Sequence, residues 1–211
     1  MNSISSRHDQ QGAVLLVALV MLLVLTLFAV SSMRSSTLEG RITANRAHDA
    51  QQQNAADAAL REAEYRYYKP GNLINKLESS PTNCVIKNTL QAKGLGQPCL
   101  LSISSDNLLS FVERPSSLTA NFLTSASTNS LLWMPYNGTG EAQSDAAIHD
   151  KQNISWNSIR AVSGNNVEYG MEMEGKGTYY YLNNAKATDS RTNTTVYLQS
   201  TNANIYMGLN N

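Results

Sequence analysis

Charge is scarce in this chain. Only 15% of its 211 residues are Asp, Glu, Lys or Arg, and sixteen basic side chains balance sixteen acidic ones. Nucleic-acid binding driven by phosphate neutralisation needs a basic surplus, which is missing here. Histidine is almost as rare: His8, His48 and His149 are the full set. No HExxH, GxSxG, phosphate loop or paired CxxC occurs, so no motif argues for an enzyme, a cofactor or a metal site. The two cysteines, Cys84 and Cys99, are too far apart for a CxxC redox motif. Proline is absent before Pro70. Nothing in the first 69 residues therefore forces a helix to stop.

That proline-free stretch holds the dominant signal. After Gln10-Gln11-Gly12 the chain turns apolar from Ala13 to Val30, with Thr26 as the one polar side chain. As a helix the run is about 27 Å long, close to the hydrocarbon thickness of a bilayer. Arg7 precedes it and favours a cytoplasmic N-terminus, although Arg34 just beyond weakens that bias. A cleaved secretory signal with a site near Ala29-Val30-Ser31 is one reading, but the run is long for it. A plain signal anchor is another.

Helical character continues past Val30. Asp57/Arg61 and Glu62/Arg66 are acid-before-base pairs at i, i+4. Ala55, Ala56, Ala58, Ala59, Leu60 and Ala63 favour helix. Ala56, Leu60, Ala63 and Tyr67 share one face, which should pack on a sheet. Gly40 costs about 1 kcal/mol relative to Ala, either as a place to bend or as a tolerated surface glycine.

The domain beyond Lys69 is less legible. Lys69-Pro70-Gly71-Asn72 ends the helix. Leu73, Ile74 and Leu77 suggest a helical turn, and Ser79–Asn83 a loop. Cys99–Ile103 and Leu108–Val112 read as strands, Leu131–Met134 as an apolar knot, and Asn137–Gly140 as a turn. Val167, Tyr169, Met171 and Met173 alternate with polar or small residues, the period of a half-buried strand. A turn at Gly175–Gly177, a return strand from Tyr179 to about Ala187, a turn at Asp189–Asn193 and a strand at Thr194–Thr201 complete a meander. Tyr179-Tyr180-Tyr181 is better read as alternating sheet packing than as an adhesive patch. Glu168, Glu172 and Glu174 read as a solvated strand face rather than a cation site. If the domain is exported, a Cys84–Cys99 disulfide is permitted; otherwise both are buried thiols.

The N-terminal third resembles a PilX-type minor pilin of the type IV pilus system. The matching stretches are Gln11–Leu19, Arg34–Glu39, Arg41–Asn45 and Ala55–Glu64, with a weaker echo at Thr195–Thr201. The resemblance implies an α+β fold, a long N-terminal helix packed on a C-terminal antiparallel sheet. It divides the chain into a prepilin leader at 1–12, a helix at 13–68 with 13–30 in the membrane, and a globular domain at 69–211. It implies cleavage by a prepilin peptidase between Gly12 and Ala13, and methylation of the new amino terminus at Ala13.

Most members of that wider family carry a glutamate at the fifth position after the cut. Here that position is Val17. An intramembrane carboxylate is costly unless paired, so a subunit lacking it fits a place with no neighbour ahead. The implied role is a minor pilin of a priming or tip complex that starts pilus assembly and supports twitching motility, adhesion or DNA uptake. The implied partners are other minor pilins, the major pilin, the prepilin peptidase and the inner-membrane assembly platform. The implied location is the inner membrane with a periplasmic domain, then the pilus tip. A tip adhesin and a tip-class pseudopilin of type II secretion are the alternatives.

Overall fold

The computed structural model describes residues 8–68, 79–90, 93–117, 130–138, 152–164 and 177–206. The chain divides into two compact units, Met1–Asp49 and Ala50–Asn211. Helix α1, His8–Tyr65, contributes to both.

In the first unit α1 carries the apolar run, and every described side chain from Ala13 to Arg46 is exposed. The helix is long and apolar enough to cross a membrane. Thr26 does not spoil it, because its hydroxyl donates to the Leu23 carbonyl at 2.8 Å. That local bond satisfies the polar group without a partner helix. A Cβ placed on Gly40 would meet nothing within 4 Å. No close approach within the chain demands a glycine there.

Among the described residues the second unit has five strands. These are β1, Leu100–Ser102; β2, Met134–Pro135; β3, Gln152–Gly164; β4, Gly177–Asp189; and β5, Thr194–Tyr206. Strands β3, β4 and β5 form an antiparallel meander. One edge of β3 is shared by β1, which runs parallel to it, and β2, which runs antiparallel. The sheet is therefore mixed, and β1 adds a parallel pairing. The weak family echo at Thr195–Thr201 falls on β5.

The apolar face expected on α1 is the buried one. Ala56, Leu60, Ala63 and Tyr67 are all inaccessible or nearly so. Ala56, Leu60 and Ala63 join Ala55 and Ala59 against Ile154, Trp156, Ala185 and Ala187. Alanine on both sides lets the helix lie close to the sheet, and Trp156 supplies most of the buried bulk. Tyr67 closes the end of this layer with Leu100, Tyr179 and Tyr181. Tyr180, with the opposite facing, stays partly exposed. Ile159 and its cross-strand neighbours Leu101 and Leu182 occupy the other face.

Several sequence expectations are corrected. Leu108–Val112 is not a strand but part of helix α2, Ser105–Glu113. Its apolar residues Leu108, Phe111 and Val112 have helical spacing, which a five-residue window fails to separate from a strand. Ser79–Asn83 contains a single 3-10 turn, Pro81–Asn83. The return strand β4 pairs with β3, Val162 standing opposite Tyr180. The alternating stretch 167–174 lies between those strands and outside the described residues, as do Lys69–Asn72, the turn expected from Leu73 to Leu77, Gly175, Lys176, Thr139 and Gly140. Strand β3 itself went unread. Ile154 to Ile159 are buried without interruption, so a strand covered on both faces carries no alternation.

Candidate functional site

The most heavily constrained site is a buried ion pair at the end of α1. Glu62 and Arg66 stand one turn apart, and their side chains are 1% and 0% exposed. The sequence marks the two as an i, i+4 helix pair, and the structure places that pair inside the domain. Burying two charges is expensive unless nearly every hydrogen-bonding position is used.

Glu62 uses its positions fully. Its Oε1 accepts from Arg66 Nη2 and from Trp156 Nε1, both at 3.2 Å. Its Oε2 accepts from the backbone N–H groups of Asn137 and Gly138, both at 2.9 Å. Arg66 donates from Nη1 to the Glu62 carbonyl at 3.0 Å and from Nη2 to the Asn88 carbonyl at 2.7 Å. Its guanidinium carbon lies 4.4 Å from the centre of the Trp156 ring. Burial pulls the Arg66 pKa below the ordinary arginine value, and the charge and hydrogen bond of Glu62 oppose that shift.

Each contact comes from a different segment. Gly138 has φ 68°, a left-handed conformation that aims two successive N–H groups at one carboxylate oxygen. Asn88 belongs to the loop closed by the Cys84–Cys99 disulfide. Its side chain staples that loop from inside, donating to the carbonyls of Asn83 at 2.6 Å and Gln97 at 2.9 Å, and accepting from Gln97 N at 3.1 Å. The disulfide permitted by the sequence is present, and it fixes a carbonyl that Arg66 needs.

Two further bonds set the register of α1 on β5. Gln52 Nε2 donates to Thr194 Oγ1 at 2.8 Å, and Ser200 Oγ donates to Glu64 Oε1. Twelve helical residues rise about 18 Å, and six strand residues about 20 Å. Helix and strand therefore advance together in the same direction.

Beside the ion pair lies a shallow cavity of about 250 Å³ lined by Ala58, Arg61, Glu62, Tyr65, Tyr136 and Gly138. Both Glu62 oxygens are already occupied, so the carboxylate serves as a structural acceptor rather than as a base. Among the described residues no group of His, Cys, Asp and Glu is arranged to hold a metal.

The sequence-level candidates Gly12, Ala13 and Val17 belong to the first unit, while Cys84 and Cys99 belong to the second. The α1 backbone is already helical across Gly12 and Ala13. Val17 is 56% exposed. The first acidic residue beyond Ala13 is Glu39. Sequence reasoning missed the inward role of Glu62 and Arg66, yet a signal existed. Gln52, Ala55, Ala59, Glu62 and Arg66 recur at intervals of three and four, one stripe of a helix whose alanines mark it as buried.

Residues 11–61 match the family model described as PilX N-terminal. No curated protein and no solved structure matches the chain. The matched segment takes in the Gly12–Ala13 step, the apolar run and the polar helix as far as Arg61. The N-terminal segment is thus similar to the PilX N-terminal family, and it leads into an α+β domain consistent with a pilin fold.

Proposed function

We propose that this protein is a minor pilin that helps start pilus assembly and is incorporated at or near the pilus tip. The observation that carries the reading is the family match over residues 11–61, with valine rather than glutamate at position 17. A carboxylate five residues into a membrane helix needs a positive partner, such as the amino terminus of an adjacent subunit. Val17 makes no such demand, so the subunit is suited to the leading position. In this reading a prepilin peptidase cuts after Gly12 and Ala13 becomes the methylated amino terminus. The partners are the other minor pilins, the major pilin and the inner-membrane assembly platform. The domain lies in the periplasm before assembly, and twitching motility, adhesion or DNA uptake depends on the finished fibre.

The test is the intact mass and N-terminal residue of the protein from membranes that contain the peptidase, combined with a deletion strain. The expected results are a methylated start at Ala13 and loss of surface pili on deletion. A start near Ser31 removes the pilin reading. Normal pili with defective attachment favour a tip adhesin instead.

A further inference from the structure

The cradle of Glu62 places opposing demands on residues 137 and 138. The turn there holds Gly138 at φ 68°, a conformation that favours glycine. A glycine after an asparagine is also the step at which a chain modifies itself most readily, because no side chain shields the glycine nitrogen. That nitrogen can attack the side-chain carbonyl carbon of the asparagine. A new N–C bond closes a succinimide ring, the side-chain nitrogen leaves as ammonia, and the amide proton passes through solvent to the leaving group. Water then opens the ring and yields aspartate or isoaspartate. Asn137-Gly138 is the one Asn-Gly step in the sequence.

In the folded domain each reacting group is held back. Gly138 is buried, and its N–H donates to Glu62 Oε2 at 2.9 Å. Attack requires that nitrogen to give up its proton, and a carboxylate so close disfavours a second negative charge. The Asn137 N–H donates to the same oxygen at 2.9 Å, which fixes the backbone on both sides of the asparagine. The Asn137 carboxamide is tied to β2, donating from Nδ2 to the Pro135 carbonyl at 3.2 Å. Glu62 is held in turn by Arg66 and Trp156, and Arg66 by the Asn88 carbonyl of the disulfide-closed loop.

We propose that Asn137 is a spontaneous modification site gated by Glu62, closed while the Glu62–Arg66 pair is buried and open in a chain whose pair has not formed or has come apart. The conversion runs one way. Either product adds a carboxylate to the residue whose own amide serves Glu62, and like charges repel in a buried site. Isoaspartate also inserts a methylene into the backbone, so the two N–H groups no longer meet one oxygen. A converted chain cannot restore the cradle, and a subunit left unfolded is marked permanently.

The test is peptide mass spectrometry of the full-length chain in mild detergent, incubated in mildly alkaline buffer with and without urea, with isoaspartate counted by enzymatic methylation. Conversion at Asn137 should be about a hundredfold slower in the folded chain than in urea, since it must await opening of the site. Equal rates in the two states overturn the gate. Glu62→Gln should speed conversion at least tenfold under folding conditions, with circular dichroism confirming that the domain is intact. A folded variant that converts no faster than the original overturns Glu62 as the gate. If the variant is unfolded, hydrogen–deuterium exchange on the original chain decides. Slow exchange at the Asn137 and Gly138 amides is expected, and free exchange at either overturns the gate. A chain converted in urea and then refolded should melt below an unconverted chain carried through the same steps. Equal melting temperatures overturn the one-way mark.

Discussion

Trp156 binds Glu62 and Arg66 by two different parts of one ring. Its indole N–H donates to Glu62 Oε1 at 3.2 Å, and its face lies 4.4 Å beneath the Arg66 guanidinium carbon. One side chain of the sheet therefore holds both charges of the helix end.

The first prediction follows from that coupling. Removing one charge strands the other in the interior, at a cost of about 3–5 kcal/mol. Arg66→Met and Glu62→Gln should each lower stability strongly. The double variant should cost less than the sum of the two, because no lone charge remains. Urea unfolding of the full chain in detergent measures all three. Strict additivity would show that the pair is not coupled.

Gly138 offers a sharper local probe. With φ 68° an alanine is strained there by about 1–2 kcal/mol. Relief of that strain turns the N–H groups of Asn137 and Gly138 away from Glu62. Gly138→Ala should therefore lower the unfolding midpoint, whereas Asn137→Ala keeps the same backbone donor and should cost less.

Reduction of the disulfide removes a constraint on a loop of this size, worth about 3 kcal/mol in the chain-entropy model. It also loosens the Asn88 carbonyl that Arg66 uses. Cys84→Ser with Cys99→Ser should reproduce the loss. Part of it should already appear in Asn88→Ala, where the loop stays covalently closed but its internal staple is gone. Thermal unfolding with and without reductant separates the two contributions.

Tyr67 predicts an alkaline effect with a definite sign. Its hydroxyl is raised well above the usual 10.0, first by burial and then by the nearby Tyr181 and Glu64, with Ser158 acting the other way. The unfolded chain loses this proton near pH 10 while the folded chain keeps it. The contribution of Tyr67 is therefore intact below pH 10 and falls as pH rises above it, by about 1.4 kcal/mol per unit. Tyr67→Phe removes the titrating group. The stability gap between the original and the variant should move in favour of the variant between pH 9 and pH 11, as read from urea midpoints.

Val17→Glu tests the charge argument for the leading position. The new carboxylate needs a positive partner ahead of it. Fewer pili, or a subunit moved from the tip into the shaft, are the expected outcomes. Pilus counts and tip labelling that are indifferent to the change leave Val17 without a special role.

The helix and its inward face could be read from the residues alone. Those features are local: an unbroken apolar run, no proline, and alanines at helical spacing. The strands β4 and β5 and the Asp189–Asn193 turn were legible for the same reason, since turn residues and alternation are written in neighbouring positions. Tertiary structure decided what rests on distant partners. Strand β3 is buried on both faces, so its pattern loses the period that marks a strand. The five-residue apolar segment in α2 suits two periods, and only packing around Phe111 chose between them. Glu62 and Arg66 satisfy the rule for a surface pair equally well on either side of a helix. Trp156, Asn88, Asn137 and Gly138 converge from separate segments to make burial of those charges affordable. Composition gave no sign of that convergence, because hydrogen-bond partners 22 to 94 residues away are set by the fold and not by spacing along the chain.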